Sequence, residues 1–240
     1  MIERQIQVTT ADGEMTTFVY HPDDGGPHPV VLYLMDAPSI RPALHDMARR
    51  LAAEGYYVML PFLFYRGSPF KEFGTSDEEM HERRELMKTV TRDGIMVDAA
   101  ALLDIAASDP AAGDGDIGAI GFCMSGSLVL ALAQRMPERV AAVASIHGAW
   151  LVSDAEDSPH REVDNIRAEV YFGWADEDPT APADQIPAVE ASLDAAGVNY
   201  TIDYMDGAHH GFAPPGGAHY DEAASEKHWE RVLDLLARHL

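Results

Sequence analysis

Apolar and polar residues alternate at the start of the chain and then give way to unbroken apolar runs. "RQIQVTT" (4–10) and "EMTTFVYHP" (14–22) alternate with a period of two around Asp12-Gly13, which predicts a β-hairpin. "VVLYLM" (30–35), "YYVMLP" (56–61), "DIGAIGF" (116–122), "VAAVASIH" (140–147) and "AEVYFGWA" (168–175) are short continuous apolar stretches. That is the pattern of strands buried on both faces. Helical spacing fills the gaps between them. "RPALHDMARRLAAEG" puts Leu44, Met47, Ala48 and Leu51 on one side and stops at Gly55. A charged helix is expected over 77–88. Another spans 92–107, with Ile95, Ala99, Leu102, Leu103 and Ala106 on one side, and Asp109-Pro110 ends it. "MSGSLVLALAQRM", "IPAVEASLDAAG" and "YDEAASEKHWERVLDLLARHL" read as helices, and "NYTIDYM" as the last strand. Strands and helices alternating after an antiparallel start predict an α/β fold: a mostly parallel central sheet with helices on both faces. With no linker, repeat or low-complexity tract, the expectation is one domain over 1–240.

Composition narrows the function classes. Forty acidic residues against 17 Lys plus Arg give a net charge of −23. Phosphate backbones and anionic lipid both need a basic surface, so neither nucleic acid nor a membrane is an expected partner. No stretch approaches the roughly 20 apolar residues of a membrane span. "MIERQIQVTT" lacks the pattern of a secretion signal, and a single cysteine allows no internal disulfide, which points to the cytoplasm.

That cysteine, Cys123, lies in "AIGFCMSGSL", where a strand turns directly into a helix. A sharp strand–nucleophile–helix turn lifts a side chain above the sheet. It also sets the next amide, that of Met124, at a helix N-terminus, where partial positive charge supports an oxyanion. Crowding in such a turn demands small neighbours: Gly121 stands two before, Ser125 two after, and Gly126 follows. Serine takes the place that glycine has in G-x-S-x-G. A thiol nucleophile needs a base, and the base needs an orienting acid. Downstream, "VYFGWADEDPTAP" offers Asp176 and Asp178 past one strand, and "YMDGAHHGF" offers His209 and His210 past the next. Nucleophile, acid and histidine follow in the order expected of such sheets. Tyr65, Phe70, His147 and Trp174 are candidate pocket walls. No H-E-x-x-H or paired-cysteine spacing supports a metal site, so no metal or cofactor is expected.

"GFCMSG", "GWADEDPTAP" and "GAHHGF", with "LMDAP" and "GYYVMLPFLFYR", resemble the dienelactone hydrolase family of α/β-hydrolases over nearly the whole chain. The resemblance implies Cys123 as nucleophile, Asp176 as orienting acid, and His210 as base, since the family's histidine directly precedes Gly-Phe. His209 and Asp178 are the alternatives. It implies an oxyanion hole from the Met124 amide and an amide just after the strand at 30–35, that of Ala37. Asp36 stands where an acidic side chain could take or hold the thiol proton. Arg66 matches an arginine that helps hold a substrate carboxylate, and Arg41 could be a further cation at the mouth of the site. Members acting on dienelactone carry a second arginine shortly after "HGF-A". Here "HGFAPPGG" has Pro214 and Pro215, so half of that clamp is missing. The expected activity is hydrolysis of a small-molecule carboxylic ester or lactone through a thioester, by a monomer or small homo-oligomer. A thioesterase would use the same residues, whereas a thiol redox sensor would need no Asp-His pair.

Overall fold

A computed structural model describes residues 1–240, which fall into two compact units, 1–115 and 116–240. The first unit opens with β1 (Ile2–Thr10) and β2 (Gly13–His21), paired antiparallel. Thr10 pairs with Gly13, so the connecting pair is Ala11-Asp12 rather than Asp12-Gly13. Gly13, at φ 139°, is already the first strand residue. β3 (Val30–Leu34) and β4 (Tyr57–Pro61) are parallel, and the order is β1-β2-β4-β3. Every residue of β3 and β4 is buried, as continuous apolar runs require.

The α1 helix (Pro42–Ala53) buries Leu44, Met47, Ala48 and Leu51, the expected stripe. A charged helix, α2 (Asp77–Met87), starts on a capping box in which Ser76 and Glu79 satisfy each other's backbone amides. On α3 (Arg92–Ala107) the buried side includes Ile95, Ala99, Leu102 and Ala106, together with a carboxylate, Asp98.

In the second unit all pairings are parallel: β5 (Ile117–Phe122), β6 (Val140–Ile146), β7 (Glu169–Glu177) and β8 (Tyr200–His209), in that order. Parallel neighbours need crossovers. α4 (Gly126–Arg135) joins β5 to β6, and α5 (Ile186–Ala196) joins β7 to β8. The α5 helix stops at Gly197, whose φ of 69° is the left-handed cap that glycine supplies cheaply. The chain closes with α6 (Glu222–His239), begun by Asp221, which accepts from the Ala224 amide at 2.9 Å.

Two strands run past the expected ends. β7 continues through Glu177 and β8 through His209, with a register shift between Ala175 and Glu177. The sequence "DEDP" looks too polar for a strand. The backbone pairs with β8 there, and the Glu177 side chain at the end of the strand stays exposed to water. This overrun keeps Asp176 on the strand and leaves Asp178 in the turn beyond it.

Candidate active site

β5 ends at Phe122, a single 3-10 turn (Cys123–Ser125) follows, and α4 begins at Gly126. Cys123 holds φ 53°, in the left-handed region that L-residues rarely adopt. Such a conformation costs on the order of 1–3 kcal/mol and persists where surrounding structure enforces it. Contacts behind the turn provide that enforcement. A Cβ on Gly121 would stand 2.2 Å from the Ser125 carbonyl oxygen, and one on Gly126 would stand 2.5 Å from the Gly148 Cα. Ser125 itself has φ −84° and ψ −5°, ordinary right-handed backbone. Serine is therefore tolerated at Ser125, and the demand for glycine falls one residue later, on Gly126.

The turn brings Cys123 Sγ to 3.0 Å from His210 Nε2. The other ring nitrogen, Nδ1, lies 2.6 Å from Asp178 Oδ2. The remaining oxygen of Asp178 accepts from the Thr180 amide at 2.8 Å, the Thr180 hydroxyl at 2.7 Å and the Ala181 amide at 3.2 Å. Burial opposes the charged form of Asp178, but His210 and the Thr180 donors outweigh it, and its carboxyl is held below the usual range. For His210, burial opposes the imidazolium. The hydrogen bonds and charges of Asp178 and Cys123 outweigh that and raise it to about 10.

Asp176, expected as the orienting acid, is not the one brought to His210. Still on β7 at the register shift, it accepts from the Tyr204 hydroxyl and from the Gly207 amide at 2.9 Å, both on β8. Asp178, two residues on, is past the strand end, where the turn folds it inward to 5% exposure. The two histidines divide in the same way. His209 is the last residue of β8 and faces Glu177 at 3.3 Å, while His210 lies in the turn beyond. Met124 is buried in the 3-10 turn, with its amide next along from the thiol residue.

The remaining expected residues belong to the first unit, and the structure gives several of them partners there. Arg41 grips both oxygens of Asp36, at 2.6 and 2.9 Å, and also donates to the Ser39 carbonyl. Asp36 is thus tied as a carboxylate to Arg41, and Arg41 is not a free cation. Arg66, expected to hold a substrate carboxylate, is instead an internal anchor. It donates to Asp98 at 2.7 and 3.2 Å, to Asp12 at 2.8 Å and to the Gly94 carbonyl at 3.0 Å. Ala37 follows β3 at the turn carrying Asp36.

Of the candidate pocket walls, Tyr65 donates to Asp98 at 2.7 Å and Phe70 packs edge-on against Phe18 and Phe62. Trp174 is buried, its indole N–H donating to the Ala181 carbonyl at 2.8 Å, so it braces the acid turn from below. His147 is buried with its ring 5.1 Å from that of His210. Thr180 and Ala181 were not singled out from the sequence. The Asp-x-Thr spacing, a turn in which a carboxylate collects the amides two and three residues on, is the signal that could have found them.

No group of three or more His, Cys, Asp or Glu side chains is placed to hold a metal ion, and no helix is long and apolar enough to cross a membrane.

The chain is similar to proteins already known. Two curated relatives, both named "Putative carboxymethylenebutenolidase", come from Synechocystis and Yersinia pestis. The first is 29% identical over 231 residues, covering 95% of this chain and 93% of the relative. The second is 27% identical over 233 residues, covering 94% and 84%. Among solved structures, a "Putative Dienelactone Hydrolase" of Klebsiella pneumoniae superposes with a TM-score of 0.88 at 22% identity, over 99% of both chains. At that identity the likeness speaks for the fold, which is the expected α/β one. The sequence model of the dienelactone hydrolase family matches residues 15–240. The chain belongs to the dienelactone hydrolase family.

Proposed function

We propose that the chain is a cysteine-dependent hydrolase of carboxylic esters or lactones, working through Cys123, His210 and Asp178 as one domain. The observation that carries this reading is the continuous line from Sγ to Nε2 at 3.0 Å and from Nδ1 to Asp178 at 2.6 Å. His210 takes the thiol proton, and the thiolate adds to the substrate carbonyl carbon. The carbonyl electron pair moves onto oxygen, where the Met124 amide is its donor and Ala37, by family likeness, the second. Each such donor contributes a few kcal/mol. Collapse of the adduct forms the thioester and expels the alcohol, which takes the proton from His210. Water, giving its proton to His210, then attacks the thioester and releases the acid. Asp178 holds the imidazole in one tautomer throughout and offsets its positive charge.

With one cysteine and an acidic surface, the protein is proposed to act in the cytoplasm on a small molecule, as a monomer or small homo-oligomer. Pro214 and Pro215 replace the second carboxylate-binding arginine, and Arg66 is committed to Asp98. The carboxylated dienelactone itself is therefore a poor fit, and plain esters or lactones are favoured.

The test is hydrolysis of 4-nitrophenyl acetate by wild type and Cys123→Ala, with a short acyl thioester assayed in parallel. A loss of roughly a thousandfold or more in the variant supports the reading. Equal turnover overturns it. Faster turnover of the thioester than of matched oxygen esters would make the chain a thioesterase on the same residues.

A further inference from the structure

The segment after β6 carries a residue that pays two costs at once. Trp150 is 51% exposed, while the other two tryptophans, Trp174 and Trp229, are each 3% exposed. Its backbone also holds φ 54°, a region where a bulky residue is a true outlier. Polar residues or glycine would relieve the exposure or the strain, and such conflicts gather at functional positions.

The fastening of this segment places it at the site. The Ala149 amide donates to the carbonyl of Cys123 at 2.9 Å, and the Trp150 amide donates to the carbonyl of Thr180 at 3.1 Å. Thr180 is the residue whose hydroxyl and amide hold Asp178. The Trp150 Cα thus lies within roughly 8 Å of the Cys123 carbonyl, a span an indole covers. Behind it, Gly148 sits against Gly126 and the His147 ring lies 5.1 Å from that of His210. The backbone that carries this exposed, flat, apolar ring is fastened to both the nucleophile turn and the acid turn.

We infer that Trp150 is a specificity-determining residue that stacks on an aromatic ring of the substrate, which makes aryl-bearing esters the preferred class. This rests on the ester-hydrolase reading above. An aromatic pair in offset or edge contact adds an amount that reads as roughly a three- to tenfold preference over a saturated ring of the same size.

The test compares matched pairs, each enzymatic rate divided by that ester's own rate of hydrolysis by hydroxide: benzyl against cyclohexylmethyl acetate, and ethyl phenylacetate against ethyl cyclohexylacetate. Wild type is expected to prefer the aromatic member of at least one pair in kcat/KM. Trp150→Ala is expected to bring the ratio of aromatic to saturated kcat/KM down to about one, and Trp150→Phe to keep most of the preference. No preference in wild type, or one that survives in Trp150→Ala, overturns the inference. Binding is read without turnover from tryptophan emission, because Trp150 alone of the three is exposed. Benzyl acetate added to Cys123→Ala protein is expected to blue-shift that emission, and an unchanged spectrum counts against the stacking. A wild type that hydrolyses no ester would bring down the functional reading instead, and the emission experiment would still judge Trp150.

Discussion

Two aspartates two residues apart have different fates here, and the difference is one of pairing. Asp176 belongs to the last residues of β7 and gives its carboxylate to Tyr204 and Gly207 on β8. Asp178 belongs to the turn and spends one oxygen on three local donors and the other on His210. The account therefore predicts that Asp178→Asn lowers kcat by roughly a thousandfold or more, because the amide favours the wrong tautomer of His210. Asp176→Asn should change kcat by less than about threefold. Steady-state kinetics of the two variants on one activated ester check this, and the reverse ranking would restore Asp176 as the acid. From the sequence, Cys123 and His210 are legible because a turn glycine and a Gly-Phe pair flank them. Asp176 and Asp178 are not separable that way, since both follow the same apolar run and only the strand's true end divides them.

At the scale of the element, most of the fold is written in periodicity. The stripe Leu44, Met47, Ala48 and Leu51 and the fully apolar runs of β3, β4 and β5 leave little freedom. Strand ends are less legible, because backbone pairing at an exposed edge tolerates "ADE" and "DGAH" as readily as valines. The turn between β5 and α4 is tightly constrained. Gly121 allows the Ser125 carbonyl to approach, and a methyl group placed there meets that oxygen at 2.2 Å. Gly121→Ala is expected to destabilise by about 2–3 kcal/mol and to lower activity in the fraction that remains folded. Urea unfolding with a parallel rate measurement tests this. Unchanged stability and activity would mean that the turn is looser than its geometry implies. The partner of Arg66 is not legible at this level, because Asp98 lies 32 residues along the chain and meets it only through packing, whereas Asp36 is only five residues before Arg41.

Over the whole molecule, net charge stands out. At −23 the folded chain repels itself, and added salt screens that repulsion over about 10 Å at 0.1 M. The melting temperature is expected to rise by several degrees between 0.02 and 1 M NaCl, followed by circular dichroism. A fall over that range would mean that ion pairs such as Arg238 with Glu169 stabilise more than the net charge costs.

The account as a whole rests on Cys123 forming a covalent bond to the acyl group. The most direct measurement is intact-protein mass spectrometry of the enzyme acid-quenched during turnover of 4-nitrophenyl acetate. The account predicts a species heavier by one acetyl group, located on Cys123 and absent from Cys123→Ala. Turnover with no acylated protein, or acetyl carried on another residue, would contradict it.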